Sequence, residues 1–388
     1  MGSSNLLNRC TIMKKFPCFA VGLSFILILA AMAAAQSGRA KPSPSPPPTP
    51  EDDTINVVTE EVKVNVAAFD EEGNFLNDVK IDDLVIDENN ILHQAQTLRR
   101  IPANVLIVMD TGGEMRQRKS LDQTRRVARS MVAALAPADS AAVMQYSDKP
   151  EIVAEWTTDK DLLAQAISKR TKFGRSSAFA AALQMAADFL SRQGLENKHL
   201  VLITDGTDTI EGQSAKVIAM RRLLGSDINV HVISYTQLEA DDITPRTKMI
   251  SNSPPPKAMP DEIAAQLPNA RDRPASTRVG PTINLDRTML KKLRARKADL
   301  EQSEHDLIEL AENANGVMII ARSLDEMIDK TAVIARMIDS SYVLTYIPKI
   351  PLGEKGQPAE RIIEVTSRRP GLIVTAKRKL IVEDTRRQ

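Results

Sequence analysis

With 388 residues, 43% of them apolar and 26% charged, the chain has an ordinary globular composition and room for about two to three domain-sized units. Its net charge is +1, and setting aside the first 35 residues, with Arg9, Lys14 and Lys15 and no acidic group, takes it to −2; neither value points to a nucleic-acid or polyanion partner. Both cysteines, Cys10 and Cys18, fall in that leader, so the rest of the chain has neither a disulfide framework nor thiol chemistry.

Residues 1–35 read as an export signal, with Lys14-Lys15 as the positive flank, Phe16 to Met32 as the apolar segment and Ala33-Ala34-Ala35 as the small-residue cleavage pattern. The expected location is extracytoplasmic: periplasmic, secreted or at the cell surface. Membrane contact is expected only through an uncleaved N-terminal anchor, because the apolar run approaches the ~18 residues of a spanning helix. Residues 36–53 hold Pro42 to Pro50 and then Glu51-Asp52-Asp53, with no large apolar side chain to build a core, and read as a semi-rigid polyproline linker.

Residues 54–100 form an expected β unit. Val62, Val64 and Val66 alternate with Lys63, Asn65 and Ala67 as in a half-buried strand, Glu71 to Asn74 reads as a turn, and short strands are expected at Leu84 to Ile86 and Leu92 to Leu98. So few short strands are marginal alone. The C-terminal segment 341–382 offers partners at Tyr342 to Ile347, Arg361 to Thr366 and Leu372 to Leu380, with Pro370-Gly371 as a turn. The two ends of the chain are therefore expected to meet in one β-sandwich.

Between them, residues 101–340 alternate strand and helix, the pattern of an α/β domain with a doubly wound, mostly parallel sheet. Val105 to Met109 is a continuous apolar run, as in a strand buried on both faces, and it ends in Asp110-Thr111-Gly112-Gly113-Glu114. His199 to Thr204 repeats the pattern and ends in Asp205-Gly206. Neighbouring parallel strands would bring the two carboxylates to one sheet edge, where ligands of open α/β sheets bind, and such a pair suggests a cation. Helices are expected around Leu121 to Leu135, Ala178 to Leu190, Ala215 to Leu224 and Leu324 to Ile338, and strands at Ala141 to Tyr146, Ile152 to Trp156, Val230 to Tyr235 and Val317 to Ala321. A proline-rich insertion, 236–285, precedes a long charged helix over about Leu285 to Asn313.

These residues resemble a von Willebrand factor type A domain. The family builds a metal-ion-dependent adhesion site from Asp-x-Ser-x-Ser after its first strand, a Thr in a later loop and the Asp of a Thr-Asp-Gly. Asp110 matches the first Asp and Asp205 the last. The Thr position falls within Gly174 to Phe179, where Ser176 or Ser177 keeps a hydroxyl and the spacing from Gly174 favours Ser176. Gly112 and Glu114 stand in place of the two serines. The resemblance thus implies a metal set of Asp110, Glu114, Ser176 and Asp205, taking Mg²⁺ with waters at Gly112 or Ca²⁺ with the longer carboxylate of Glu114. The other reading is a vestigial site, its carboxylates bonded to loop amides. With Asp70 to Asn74, Leu310 to Gly316 and Tyr342 to Tyr346, the chain also resembles bacterial secreted proteins of this family, of the acidobacterial type, over roughly 54–235 and 303–382.

Elsewhere the residues offer little chemistry. His93, His199, His231 and His305 show no metal-ligand spacing and read as structural. No nucleophile elbow or phosphate-cradling loop is present, and nothing marks a base for Ser176 or Ser177, so no enzyme is expected. The basic run from Arg287 to Lys297 reads as a solvated helix with internal ion pairs, and Lys377-Arg378-Lys379 as an exposed or edge-protecting strand. The expected function is an extracytoplasmic adhesion module that binds a protein partner, and no nucleic acid, through Asp110, Gly112, Glu114, Ser176, Ser177 and Asp205. If a metal is held, the resemblance implies that a partner carboxylate completes its shell. The alternative is a metal-free scaffold presenting the insertion to an assembly partner.

Overall fold

The computed structural model describes residues 61–113, 121–192, 194–247, 250–251, 282–283, 287–352 and 360–382. The leader, the linker, Glu114 and the centre of the insertion lie outside them. In chain order the first elements are β1 (Val62–Phe69), β2 (Leu84–Glu88), β3 (Ile91–His93), β4 (Ala95–Arg99) and β5 (Asn104–Asp110). There follow α1 (Leu121–Ala134), β6 (Ser140–Tyr146), β7 (Pro150–Thr157), α2 (Lys160–Arg170), α3 (Phe179–Leu190), β8 (Lys198–Thr204), α4 (Gly212–Leu224) and β9 (Asn229–Ser234). Next come α5 (Thr236–Thr247), the short ribbon of β10 (Ile250–Ser251) with β11 (Thr282–Ile283), and α6 (Arg287–Asn313). The chain closes with β12 (Met318–Ile320), α7 (Leu324–Asp339), β13 (Ser341–Tyr346), β14 (Glu360–Ser367), β15 (Ile373–Thr375) and β16 (Lys377–Ile381).

The central sheet has the order β12-β9-β8-β5-β6-β7, parallel throughout except for β7 at its edge. Both of its faces are apolar, which is why its strands read as continuous runs. Val105, Ile107 and Met109 face a core shared with α1, α2 and α7, whereas Leu106 and Val108 face α3, α4 and α6. Helix α2 was not anticipated; Asp159 caps it, accepting hydrogen bonds from the Asp161 and Leu162 amides at 3.0 Å each.

The ends of the chain do meet in a β-sandwich. One sheet is β15-β1-β13-β4 and the other β16-β14-β2-β3, packed over Val62, Val64, Val66, Ile86, Leu344 and Ile363. The single strand expected at 92–98 is two, β3 and β4, which belong to opposite sheets. Nor is β1 half-buried. Asn65 and Ala67 are covered as well, because that face meets the amino ends of the central strands: Asn65 Nδ2 donates to Asn197 Oδ1 at 2.5 Å and lies 3.2 Å from His199 Nε2. Arg378 is likewise no exposed strand residue. It is 1% exposed and donates to the Ser226 and Ile228 carbonyls, tying β16 to the loop after α4, and burial lowers its pKa to about 10.

Candidate functional site

From β5 the chain goes to β6 and β7 on one side, then crosses to β8, β9 and β12 on the other, so the order of the sheet reverses between β5 and β8. At that reversal the crossovers leave in opposite directions and open a crevice beyond the strands' carboxyl ends. Met109 is in register with Ile203. Asp110 and Asp205 therefore emerge side by side at the crevice, 0% and 2% exposed.

Each carboxylate is met by protein donors. Asp110 Oδ1 accepts the Gly112 amide at 3.0 Å, and the Ser177 hydroxyl lies 3.2 and 3.3 Å from its two oxygens. The phenol of Tyr146, the residue of β6 paired with Asp110, also bonds to this carboxylate and sits 2.6 Å from Thr204 Oγ1. Burial, with the charges of Asp110 and Asp205, pushes that phenol well above the usual tyrosine range, so it stays protonated. Asp205 Oδ1 accepts the Thr207 amide at 2.8 Å and the Thr207 hydroxyl at 2.7 Å. Its Oδ2 accepts Arg296 Nη2 at 2.9 Å. The same nitrogen donates to Glu239 Oε2 at 2.7 Å, and Nη1 donates to Thr207 Oγ1 at 2.8 Å. Burial alone would lower the Arg296 pKa, but the carboxylates of Asp205 and Glu239 overcome it and raise it, so the guanidinium is charged.

The loops around this network are laced together. Asp208 accepts the amides of Ala180, Ile210 and Glu211, and Thr209 Oγ1 accepts the Ser177 amide at 2.8 Å. Ser303 of α6 donates to the Asp205 carbonyl at 2.7 Å, close against Gly206, where a Cβ would lie 2.6 Å from the serine oxygen.

Of the two serines at the expected Thr position, Ser177 reaches Asp110; the Ser176 amide donates to Asp148 at 2.9 Å instead. Gly112 lies against the Ser176 backbone, so that a Cβ there would stand 1.9 Å from the Ser176 carbonyl oxygen. Glu114 lies outside the described residues. The residues that sequence reasoning missed are Tyr146, Thr207, Glu239 and Arg296. Arg296 is not part of a solvated helix face: it stands three residues after Leu293 and four before Leu300, both buried. That spacing puts it on the inward stripe and was a readable signal.

The described residues of this set do not fit the divalent ion that the resemblance implies. The backbone contact closes the Gly112 position to a serine hydroxyl, and both oxygens of Asp205 accept hydrogen bonds, one of them from a guanidinium. Among the described residues no group of three or more His, Cys, Asp or Glu is placed to share one ion.

Residues 105–207 match the family of the von Willebrand factor type A domain. No curated protein matches the chain. Among solved structures it is similar to an aerotolerance-related membrane protein from Bacteroides fragilis, at 16% identity and a TM-score of 0.36 over 61% of this chain and 98% of that one. It is similar to a von Willebrand factor type A protein from Catenulispora acidiphila, at 11% identity and 0.38 over 80% and 76%. It is also similar to the manganese-loaded TRAP protein of Plasmodium vivax, at 8% and 0.35 over 76% and 96%. At such values the likenesses say nothing of what this chain binds.

Proposed function

The chain carries a von Willebrand factor type A domain at residues 105–207, and from that premise we propose that it is an extracytoplasmic, non-enzymatic module that binds a protein partner at the carboxyl edge of its parallel sheet. The observation that carries this reading is the character of that edge. Its carboxylates are turned inward and satisfied, while Ile210, Val217 and Ile218, in the loop after β8 and the first turns of α4, stand 50, 40 and 64% exposed. Apolar side chains held out by a hydrogen-bonded loop and the helix that follows it are what a protein interface uses and what water penalises. Burying the three would contribute several kcal/mol, at roughly 25 cal/mol per Å². Adhesion through a partner carboxylate on a metal is not part of this reading. The export signal read in residues 1–35 supports the location, and among the described residues no helix is long and apolar enough to cross a membrane.

Because the chain has no cysteine after Cys18, single cysteines introduced as Ile210→Cys and Ile218→Cys can carry a photoactivatable crosslinker. In the envelope fraction of the source cells both should crosslink one discrete protein. A control, Ser226→Cys, at the opposite end of the strands, should not. Crosslinking that is equal at all three positions, or confined to the control, would remove the carboxyl edge as the binding surface.

A further inference from the structure

The resemblance implies a divalent cation where β5 and β8 end, and the described donors there, with Gly112 closed by the Ser176 backbone and both Asp205 oxygens occupied, do not fit one. A positive charge is nevertheless present. Arg296 enters from α6, 91 residues beyond Asp205 in the chain, and places one nitrogen between Asp205 Oδ2 and Glu239 Oε2 at 2.9 and 2.7 Å. Its other terminal nitrogen meets the Thr207 hydroxyl that also serves Asp205. The side chain keeps 20% of its surface exposed, against 3 and 7% for the two carboxylates. Two buried carboxylates that share a single nitrogen carry like charges in a medium that screens them poorly, and the guanidinium between them offsets both. A planar guanidinium supplies that charge together with directed donors, and it cannot dissociate as an ion does.

We propose that the Arg296 guanidinium is the resident cation of this sheet edge, standing in for the divalent metal, so that the edge is assembled from the chain alone. The elements around it agree. Helix α5 brings Glu239, helix α6 brings Arg296, and Ile243 packs with Leu293 and Leu300 to hold the two helices together over the crevice. The arrangement shares its location with the binding surface proposed above, but it is tested without any partner.

The test uses the full chain, with Mn²⁺ as the probe, read by the electron paramagnetic resonance of free Mn²⁺ and by thermal unfolding in EDTA, Mg²⁺, Mn²⁺ or Ca²⁺. The parent protein should bind no stoichiometric Mn²⁺ and unfold at one temperature in all four. Arg296→Met should lower the midpoint by roughly 5–10 °C, and Mn²⁺ should then raise it again by serving the carboxylates of Asp205 and Glu239. Arg296→Lys, which keeps the charge and loses the fork, should recover part of the loss with no response to Mn²⁺. One Mn²⁺ bound per parent chain and lost in Asp110→Asn would overturn the proposal, as would an Arg296→Met protein as stable as the parent. Should Arg296→Met fail to fold, the Mn²⁺ titration of the parent decides alone. Loss of the crosslink above leaves these readouts untouched, so the two proposals fail separately.

Discussion

Gly112 shows at the scale of one residue why a changed motif letter is not a neutral loss. The family's serine would need a Cβ where the Ser176 carbonyl oxygen already lies, 1.9 Å away, so the two loops have closed over the space a ligand hydroxyl would use. Gly112→Ser therefore should not restore a metal site. It should force the backbones apart and destabilise the fold by about 1–3 kcal/mol, measured by urea unfolding, with no new response to Mn²⁺. A variant as stable as the parent would mean that the loops part easily. The serines after it separate in the same way. Ser177→Ala removes a hydroxyl that reaches both oxygens of a fully buried Asp110 and should cost ~1–3 kcal/mol. Ser176→Ala, at a half-buried loop position, should stay within roughly 0.5 kcal/mol; the reverse order would place the Asp110 contact on the wrong serine.

At the scale of elements, helix α6 does most to set this edge apart, and it was the least readable in advance. β5 and β8 were legible because strands buried on both faces must be apolar at every position, and the Asp that ends each run marks the sheet edge. The strand at 92–98 was misread because alternation along one strand does not reveal that Gln94 turns the chain from one sheet to the other. Helix α6 reads as a charged rod because its tertiary partners are invisible in its own sequence: Arg296 meets Asp205 and Glu239, and Lys216 of α4 meets Asp306 at 2.8 Å. Lys216 is 3% exposed and also lies 3.3 Å from Ser303 Oγ. This pair couples α4 to α6 by a buried charge. Asp306→Ala should strand the ammonium and cost about 3–5 kcal/mol, whereas the double replacement Lys216→Met with Asp306→Leu should cost far less. A double-mutant cycle in urea measures this, and additive losses would show that the two side chains do not interact.

Across the whole molecule, the carboxyl edge carries the proposed binding surface and the amino edge meets the β-sandwich, so the scaffold is clamped at the end away from its proposed partner. The clamp contains two buried histidines. His231 Nδ1 accepts the Val317 amide at 3.3 Å, its Nε2 lies 3.1 Å from His199 Nδ1, and His199 Nε2 lies 2.8 Å from Asn197 Oδ1. An accepting nitrogen on His231 and an acceptor oxygen beside His199 fix one proton on each ring, both neutral. A cavity of about 370 Å³ opens beside them, with Glu312 and Lys377 in its wall. Burial lowers the His231 pKa from 6.5 to about 4; burial, and then the charge His231 would carry, holds His199 well below 6.5. Because the folded pKa values lie below the unfolded ones, the unfolded chain takes up protons first as the pH falls. The stability these rings contribute is therefore complete above pH ~6.5 and is lost as the pH drops towards 4, by roughly 3 kcal/mol for His231 alone. Thermal midpoints taken from pH 7.5 to 4 should fall steeply in the parent. They should fall less in His231→Asn, which starts from a lower midpoint because the bond to His199 is weakened. Parallel curves for the two proteins would mean that His231 does not take part in the acid response and that carboxylates elsewhere carry it.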